Sequence, residues 1–505
     1  MGRGATTTRD APDEHELDAK LTPARRRTED PNAVAGREHE VAVSATTAPR
    51  RSLFRHPDFV KLWSAATISL FGTQISQIAI PVIAVVILDV PPWQVALLGT
   101  LEFLPFLLFT LPAGVWVDRL PRRRILISGD LGRAVMLATI PIAFELHSLT
   151  IWQLYVVAFV NGIFTVFFDI ADQSYLPTVV DRNQLVDANG KLQASVSTAQ
   201  VIGQPLGGGI VGLLSAPIAV ILDAVSYAAS AFLVFLIRRT EHSTNARASA
   251  AGPAAEVVGD SPASGTSVAA EATVGASAAT DRPGLRQEIS EGLRYVVGHP
   301  YLRNIAATTG SSNFFSNVAF AIFPVFVLRD LALSAADFGL IGGAFGVGAL
   351  VGAVTAGRVA GRFHIGPTIV VSILVGSVPQ LLIPLSTHST ALLLIGGSGL
   401  FSGWSNMVYN INQVSLRQSI TPERMLGRMN ATMRFIVWGT IPIGQVVGGV
   451  IATAFGTVTA IWVGVIGGLF VFLPVFFSPV RTLERIPDLE PDQAEPARHD
   501  MPTPA

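Results

Sequence analysis

The feature that most constrains this chain is a succession of apolar segments, each about 20 residues long. Hydrocarbon offers the backbone no water to bond, so a segment of this length crosses a bilayer as a helix. The predicted spans are 62–88, 93–117, 125–144, 151–168, 194–214, 216–237, 304–328, 336–356, 367–385, 391–409, 433–454 and 458–477. Half of the residues are hydrophobic and only 14% are charged, which indicates an all-α integral membrane protein with twelve transmembrane helices.

Two motifs occur twice in the chain. The loop after the second predicted span carries Gly114, Asp118, Arg119, Arg122 and Arg123. Its opening spacing returns 243 residues later at Gly357, although Gly361 then replaces the acid. The segment 203–208, Gly-Gln-Pro-Leu-Gly-Gly, returns 241 residues later as Gly-Gln-Val-Val-Gly-Gly. Two unrelated motifs with nearly the same offset predict two similar halves of six helices each.

Over residues 52–480 these motifs resemble the major facilitator superfamily of secondary transporters. Shorter phrases resemble its branch of enterobactin exporters and macrolide efflux proteins; they lie at 54–59, 175–177, 185–189, 223–227 and 291–295. The resemblance implies two six-helix bundles that rock about a central cavity, and ion-driven export of small, amphipathic compounds. It also implies that Asp118, Arg119, Arg122 and Arg123 latch the inner gate; the alternative is that these charges only set the topology.

The distribution of basic residues predicts the orientation. Arginines and lysines gather in the loops after spans 2, 4, 8 and 10, whereas the alternate loops offer only Arg329. The positive-inside rule then places both termini in the cytoplasm of a multi-pass protein of the cell membrane. The predicted parts are a disordered tail at 1–51, a six-helix bundle at 52–239, a flexible linker at 240–283, an interfacial helix with the second bundle at 284–480, and a disordered tail at 481–505.

Ionisable side chains within the spans are the candidates for proton coupling, because an unpaired charge is costly at membrane depth. Glu102 lies nine residues into its predicted span, about 14 Å from the outer end, where burial favours a protonated carboxyl group. Its alternative role is a hydrogen bond to a neighbouring helix without any part in transport. Asp130 and Arg133 are three residues apart, so they share a helical face and can form an ion pair.

Small and polar uncharged residues predict helix packing and a substrate path. Close packing is expected at Gly203, Pro205, Gly207, Gly208, Gly444, Gly448 and Gly449. Candidates for lining the substrate path are Gln74, Gln77, Asn161, Asn313, Asn317, Trp404 and Asn406. Hydrogen bonds between helices explain these polar residues equally well.

The residue content argues against several functions. The chain has no cysteine, and it shows no phosphate-binding loop, metal cluster or nucleophile constellation, so we expect no enzyme, no cofactor and no metal. We expect a monomer in the lipid bilayer that handles a small-molecule substrate and protons, without a nucleic-acid partner. Two alternatives stay open: an uptake or facilitated-diffusion carrier for a small metabolite, and a non-transporting membrane sensor or scaffold.

Overall fold

The protein is built of long helices. The structure, a computed structural model, describes residues 53–117, 120–181, 184–237 and 285–484, and no strand occurs within these ranges. A 3-10 turn at Leu53–Arg55 is the first described element, and a surface helix occupies Leu285–Gly298. The spans, numbered 1 to 12, are Pro57–Ile87, Pro92–Val117, Arg122–Glu145, Ile151–Val179, 185–214, Ala216–Phe235, Pro300–Asp330, Ala335–Phe363, Ile365–Leu385, Ala391–Ser419, Glu423–Phe455 and Thr457–Phe476.

Span 5 differs from the other spans. Among the described residues, 11 helices are long and apolar enough to cross a membrane. Span 5 makes the twelfth crossing in three consecutive helical pieces, Leu185–Thr198, a π turn at Ala199–Gly203, and Gln204–Leu214. The π turn lies just before Pro205, whose ring nitrogen has no hydrogen to donate to the preceding turn. The predicted all-α fold with twelve transmembrane helices is thus confirmed.

Several predicted boundaries are wrong at the ends that carry the basic loops. Span 4 continues to Val179 rather than residue 168, and span 5 begins at Leu185 rather than residue 194. Span 10 continues to Ser419, and span 11 begins at Glu423. Hydropathy falls where polar residues begin, but the helix continues because its backbone hydrogen bonds do not depend on side-chain polarity. We name the membrane side that carries these ends the basic side, and the other the opposite side.

Backbone geometry repeats at the offset of the sequence motifs. A π turn ends the first helix of each half, at Ile83–Ile87 and at Phe326–Asp330. Left-handed residues follow at Asp89 and Ala332, with φ of 46° and 51°. Both pairs are separated by 243 residues, so the two halves share local conformation as well as motifs.

The halves contact each other through spans 2 and 11 and through spans 5 and 8. A Cβ added to Gly208 in span 5 would lie 3.0 Å from the Cα of Gly339 in span 8. A Cβ added to Gly449 in span 11 would lie 2.6 Å from the Cβ of Ala96 in span 2. These close approaches lie toward the opposite side, where buried apolar side chains of both halves form one continuous core.

Toward the basic side the same four helices leave open space. A Cβ added to any glycine near their basic ends would meet no atom within 4 Å; these glycines are Gly114, Gly190, Gly357, Gly361 and Gly427. The close contacts between the halves therefore lie toward the opposite side, and none of these basic-end glycines approaches the other half.

The surface helix is fixed to the start of span 11. Glu291 forms an ion pair with Arg428, and Gly292 packs against the backbone of Arg428 and the hydroxyl of Thr432. These contacts tie the segment that precedes the second half to a helix at the interface between the halves.

Candidate substrate and proton site

Glu102 lies on the face of span 2 that is directed between the two halves. At about 100° per residue, the contacts of Pro105 and Phe109 with span 4 lie on one side of this face. The contacts of Gly99 and Phe106 with span 11 lie on its other side. The remote side of the helix carries Leu97, Leu101, Leu104 and Leu108. Glu102 therefore faces the space between spans 4 and 11, and these leucines lie on the side of the helix away from it.

The Glu102 carboxylate has no partner among the residues that the structure describes. Its side chain is exposed to the interior space, and no described charged group is close enough to act on it. It stands ten residues after Pro92, about 15 Å from the opposite end of the helix. An unpaired ionisable group at this depth lowers the stability of the protein, so its presence indicates a functional role. Glu102 is therefore the leading candidate site residue.

Aromatic side chains extend from Glu102 toward the basic side. Phe103 and Phe106 have ring centroids 6.1 Å apart, and Phe106 meets Trp438 of span 11 edge-on at 5.4 Å. The guanidinium of Arg434, one turn nearer the basic side, lies 5.3 Å from the Trp438 ring. The interior thus combines a carboxylate with aromatic surface contributed by both halves.

Asp130 and Arg133, the predicted pair in span 3, form a buried ion pair. Ser230 of span 6 donates a hydrogen bond of 2.6 Å to Asp130. The Arg133 guanidinium lies between two rings, 4.2 Å from that of Phe168 in span 4 and 4.3 Å from that of Tyr227 in span 6. The pair joins spans 3, 4 and 6 within one half, and its charges offset each other.

Sequence reasoning misses two carboxylates in span 4. Asp169 and Asp172 lie beyond the predicted end of this span, on the helical face that also carries Asn161. Asp169 is within electrostatic reach of Arg133 and of Arg434 in the other half. The interior therefore contains more carboxylates than the prediction includes, and the extended helix is the signal that would have revealed them.

Asp223 in span 6 is a third carboxylate that the prediction omits. It is fully buried and accepts hydrogen bonds from Ser76 of span 1 and, at 3.2 Å, from Ser226. Gly72 leaves room for it, because a Cβ there would lie 2.5 Å from an Asp223 oxygen. A charged residue inside an apolar run is the available sequence signal, and the observed contacts join spans 1 and 6.

The loop motif between spans 2 and 3 is described in part. Asp118 and Arg119 lie outside the described residues. Gly114 lies near the end of span 2, and Arg122 begins span 3. Arg123 donates hydrogen bonds to the carbonyl oxygens of Val234, at 3.3 Å, and Phe235. It therefore ties the start of span 3 to the last turn of span 6.

The repeated glycine motifs use their glycines in the same way in both halves. Gly203 and Gly207 pack on span 1, Gly444 and Gly448 pack on span 7, and Pro205 packs on Gly343 of span 8. The last glycine of each motif meets the other half, Gly208 on span 8 and Gly449 on span 2. Each motif thus holds its own bundle together and also forms the contact between the bundles.

The predicted substrate-path residues fall into two groups. Helix contacts occupy five of them, Gln74 against Gly203, Gln77 with Gln204, Asn313 with the Val437 carbonyl, Asn317 with Gln445, and Trp404 with Thr355. The side chains of Asn161 and Asn406 make no hydrogen bond to another described residue. The polar groups of these two residues are not used in hydrogen bonds between the described helices.

Comparison with known proteins agrees with this architecture. The model of the Major Facilitator Superfamily matches residues 62–317, slightly more than half of the chain. The chain belongs to the Major Facilitator Superfamily. A second family model, described as a transmembrane secretion effector, matches residues 269–504. The protein is therefore a multi-span membrane transporter whose small-molecule substrate binds within the bilayer, as the resemblance implied.

Relatives within this superfamily include two exporters. Enterobactin exporter EntS of Salmonella choleraesuis (strain SC-B67) is 24% identical over 379 residues, which cover 74% of this chain and 81% of the relative. Macrolide efflux protein A of Streptococcus pyogenes is 28% identical over 144 residues, 28% of this chain and 35% of the relative. The predicted resemblance to this branch is confirmed.

Solved structures share the fold at lower identity. A bacterial homologue of the iron transporter ferroportin in its inward-facing state has a TM-score of 0.63 and 13% identity, and covers 84% of this chain and 99% of its own. The nucleoside transporter NupG has a TM-score of 0.62 and 11% identity, and covers 83% of this chain and 98% of its own.

Proposed function

We propose that the protein exports small amphipathic compounds across the cell membrane in exchange for protons. The observation that carries this proposal is Glu102, an interior carboxylate without a partner at the interface between the halves. A carboxylate in this position binds either a proton or a substrate group, and exclusive binding of the two is what antiport requires.

Export is the direction favoured by the relatives. The names of the two similar proteins, an enterobactin exporter and a macrolide efflux protein, both describe export. One matching family model is described as a secretion effector. With the basic loops and both termini in the cytoplasm, the basic side receives substrate from the cytoplasm. The substrate then leaves when the opposite side opens.

Three groups of residues take distinct roles in this proposal. Glu102 exchanges proton and substrate. Asp130 and Arg133 hold spans 3, 4 and 6 as one unit, so they act on coupling through the rigidity of the bundle. The loop motif with Asp118 and Arg119 closes the basic side during the outward-open state. A monomer suffices, because a single chain supplies both halves.

Transport by proteoliposomes tests the proposal. An imposed pH gradient should drive accumulation of a fluorescent amphiphilic dye against its concentration gradient in vesicles with the protein, and a protonophore should abolish it. Glu102→Gln should remove the response to the gradient. Glu145→Gln, which changes an exposed carboxylate at the opposite end of span 3, is the matched control and should retain it. Gradient-driven transport that is intact in Glu102→Gln would show that coupling lies elsewhere, and dye movement down its own gradient alone would indicate facilitated diffusion.

A further inference from the structure

The surface helix Leu285–Gly298 buries one of its faces against the second half. Glu291 is paired with Arg428, and Gly292 packs on the backbone of Arg428. Val296 is fully buried and belongs to an apolar cluster with side chains of spans 7, 9 and 11. At about 100° per residue, these three positions cover an arc of about 140° on one side of the helix. The remaining face points away from the protein.

The outward face of this helix combines apolar and basic side chains. Leu293 and Val297, one turn apart, are 45% and 55% exposed, and Arg294 beside them is exposed as well. The one acid within residues 290–298 is Glu291, and its partner lies on the inward side. Apolar side chains beside a cation on one exposed helical face are typical of a helix that lies in the interface plane of a bilayer.

The position of this helix in the chain places it at the membrane surface. His299 alone separates it from Pro300, the first residue of span 7. Arg303 is exposed in the first turn of that span and lies nine residues after Arg294, about 14 Å along the two helices. Neither arginine forms an ion pair with another described residue. Cations at this depth attract anionic lipid, and each strengthens the attraction about fivefold.

We propose that the outward face of the surface helix is a docking surface for anionic phospholipid in the leaflet on the basic side. The side chains of Leu293 and Val297 enter the boundary of the acyl chains, and the guanidinium groups of Arg294 and Arg303 bind lipid phosphates. A phosphatidylglycerol headgroup is a net anion, whereas the phosphate of phosphatidylcholine already has a cation beside it, so the surface selects the anionic lipid. This inference does not depend on the transported compound or on the direction of transport.

A fluorophore on the outward face tests the docking, because the chain has no cysteine of its own. Full-length Val297→Cys carries a coumarin maleimide in phosphatidylcholine nanodiscs. These contain a small fraction of a lipid with a nitroxide quencher near the top of its acyl chain, either phosphatidylglycerol or phosphatidylcholine. Quenching by the labelled phosphatidylglycerol should be at least about fivefold stronger. Ser389→Cys, in an exposed turn on the opposite side, is the matched control and should show no preference between the two lipids.

Substitution of the two arginines separates charge from packing. Arg294→Gln together with Arg303→Gln should make quenching by the two lipids equal, whereas the corresponding double lysine variant should keep the preference. Arg358→Gln, which changes an exposed arginine at the basic end of span 8, should leave it unchanged.

Three outcomes overturn the proposal. The first is equal quenching by the two lipids in the original chain, or a preference that survives in the double glutamine variant. The second is a preference that added inorganic phosphate abolishes, which would indicate a site for free anions rather than a lipid surface. The third is a coumarin at position 297 that neither lipid quenches, which would show that this face lies in water or against protein.

Discussion

Opening of the opposite side requires that Arg329 release the other half. Arg329, at the end of span 7, donates hydrogen bonds to the carbonyl oxygens of Val85, at 3.0 Å, and Val90, at 3.1 Å. It also forms an ion pair of 2.7 Å with Asp89, in the loop after span 1. These contacts cross from one half to the other, so they exist only while the opposite side is closed. Arg329→Ala should therefore favour the open state.

The contacts of Arg329 determine how far the equilibrium between the closed and open states should shift. The Arg329 side chain is 31% exposed and that of Asp89 is 81% exposed, so solvent weakens both kinds of contact. We assign about 1 kcal/mol to each hydrogen bond and about 0.5 kcal/mol to the ion pair. The sum of about 2.5 kcal/mol corresponds to about a 60-fold change in the equilibrium. An open state populated at about 1% would rise to about 40%.

Cysteine labelling measures this change, because the chain has no cysteine of its own. Val95, which is 5% exposed, lies on the interior face of span 2 near the opposite side, and Val95→Cys introduces a slightly smaller side chain. Its reaction rate with a maleimide should rise at least about tenfold in Arg329→Ala. Arg358→Ala, at the basic end of span 8, is the control and should leave the rate unchanged. An unchanged rate in Arg329→Ala would refute the reasoning.

Three further predictions concern packing, a buried ion pair and pH. Gly208→Val places a side chain against the backbone of span 8, whereas Gly209→Val meets open space; transport rates should fall at least about tenfold in the first and stay normal in the second. Asp130→Asn leaves Arg133 buried without its counter-charge and should lower the unfolding free energy by about 3–5 kcal/mol. Adding Arg133→Met should restore part of this loss in thermal unfolding, and simple additivity would contradict it. Burial lowers the pKa of His299 from its ordinary value, so the neutral ring is favoured in the folded protein, and stability should fall as pH drops below about 6.5. The loss of Tm between pH 7.5 and 5.5 should be smaller in His299→Gln; equal losses would rule out this residue.

The candidate site was predictable in part. Glu102, Asp130 and Arg133 stand out because ionisable residues are rare in long apolar segments. Asp169 and Asp172 escape detection because hydropathy places the end of span 4 before them, although the helix continues to Val179. The prediction fails where helical structure extends past the apolar run.

Contacts between segments that are far apart in the chain could not be predicted from the sequence. Asp223 accepts a hydrogen bond from Ser76, 147 residues away. The sequence around neither residue indicates that the two are in contact. The sequence shows that Arg329 is a basic residue on the less basic side of the membrane. It does not show the carbonyls that Arg329 binds, which lie about 240 residues away in the chain. Such partners are chosen by the packing of whole helices.

The number of spans, their order and the duplication of the two halves follow from the sequence alone. The cost of unsatisfied backbone in hydrocarbon forces each apolar stretch to form a helix, and motifs at a fixed offset reveal the repeat. Only the tertiary structure decides that Glu102 lies between spans 4 and 11, and that the two halves contact each other toward the opposite side. Both depend on how span 2 lies between spans 4 and 11, and small residues at close helix contacts determine that arrangement.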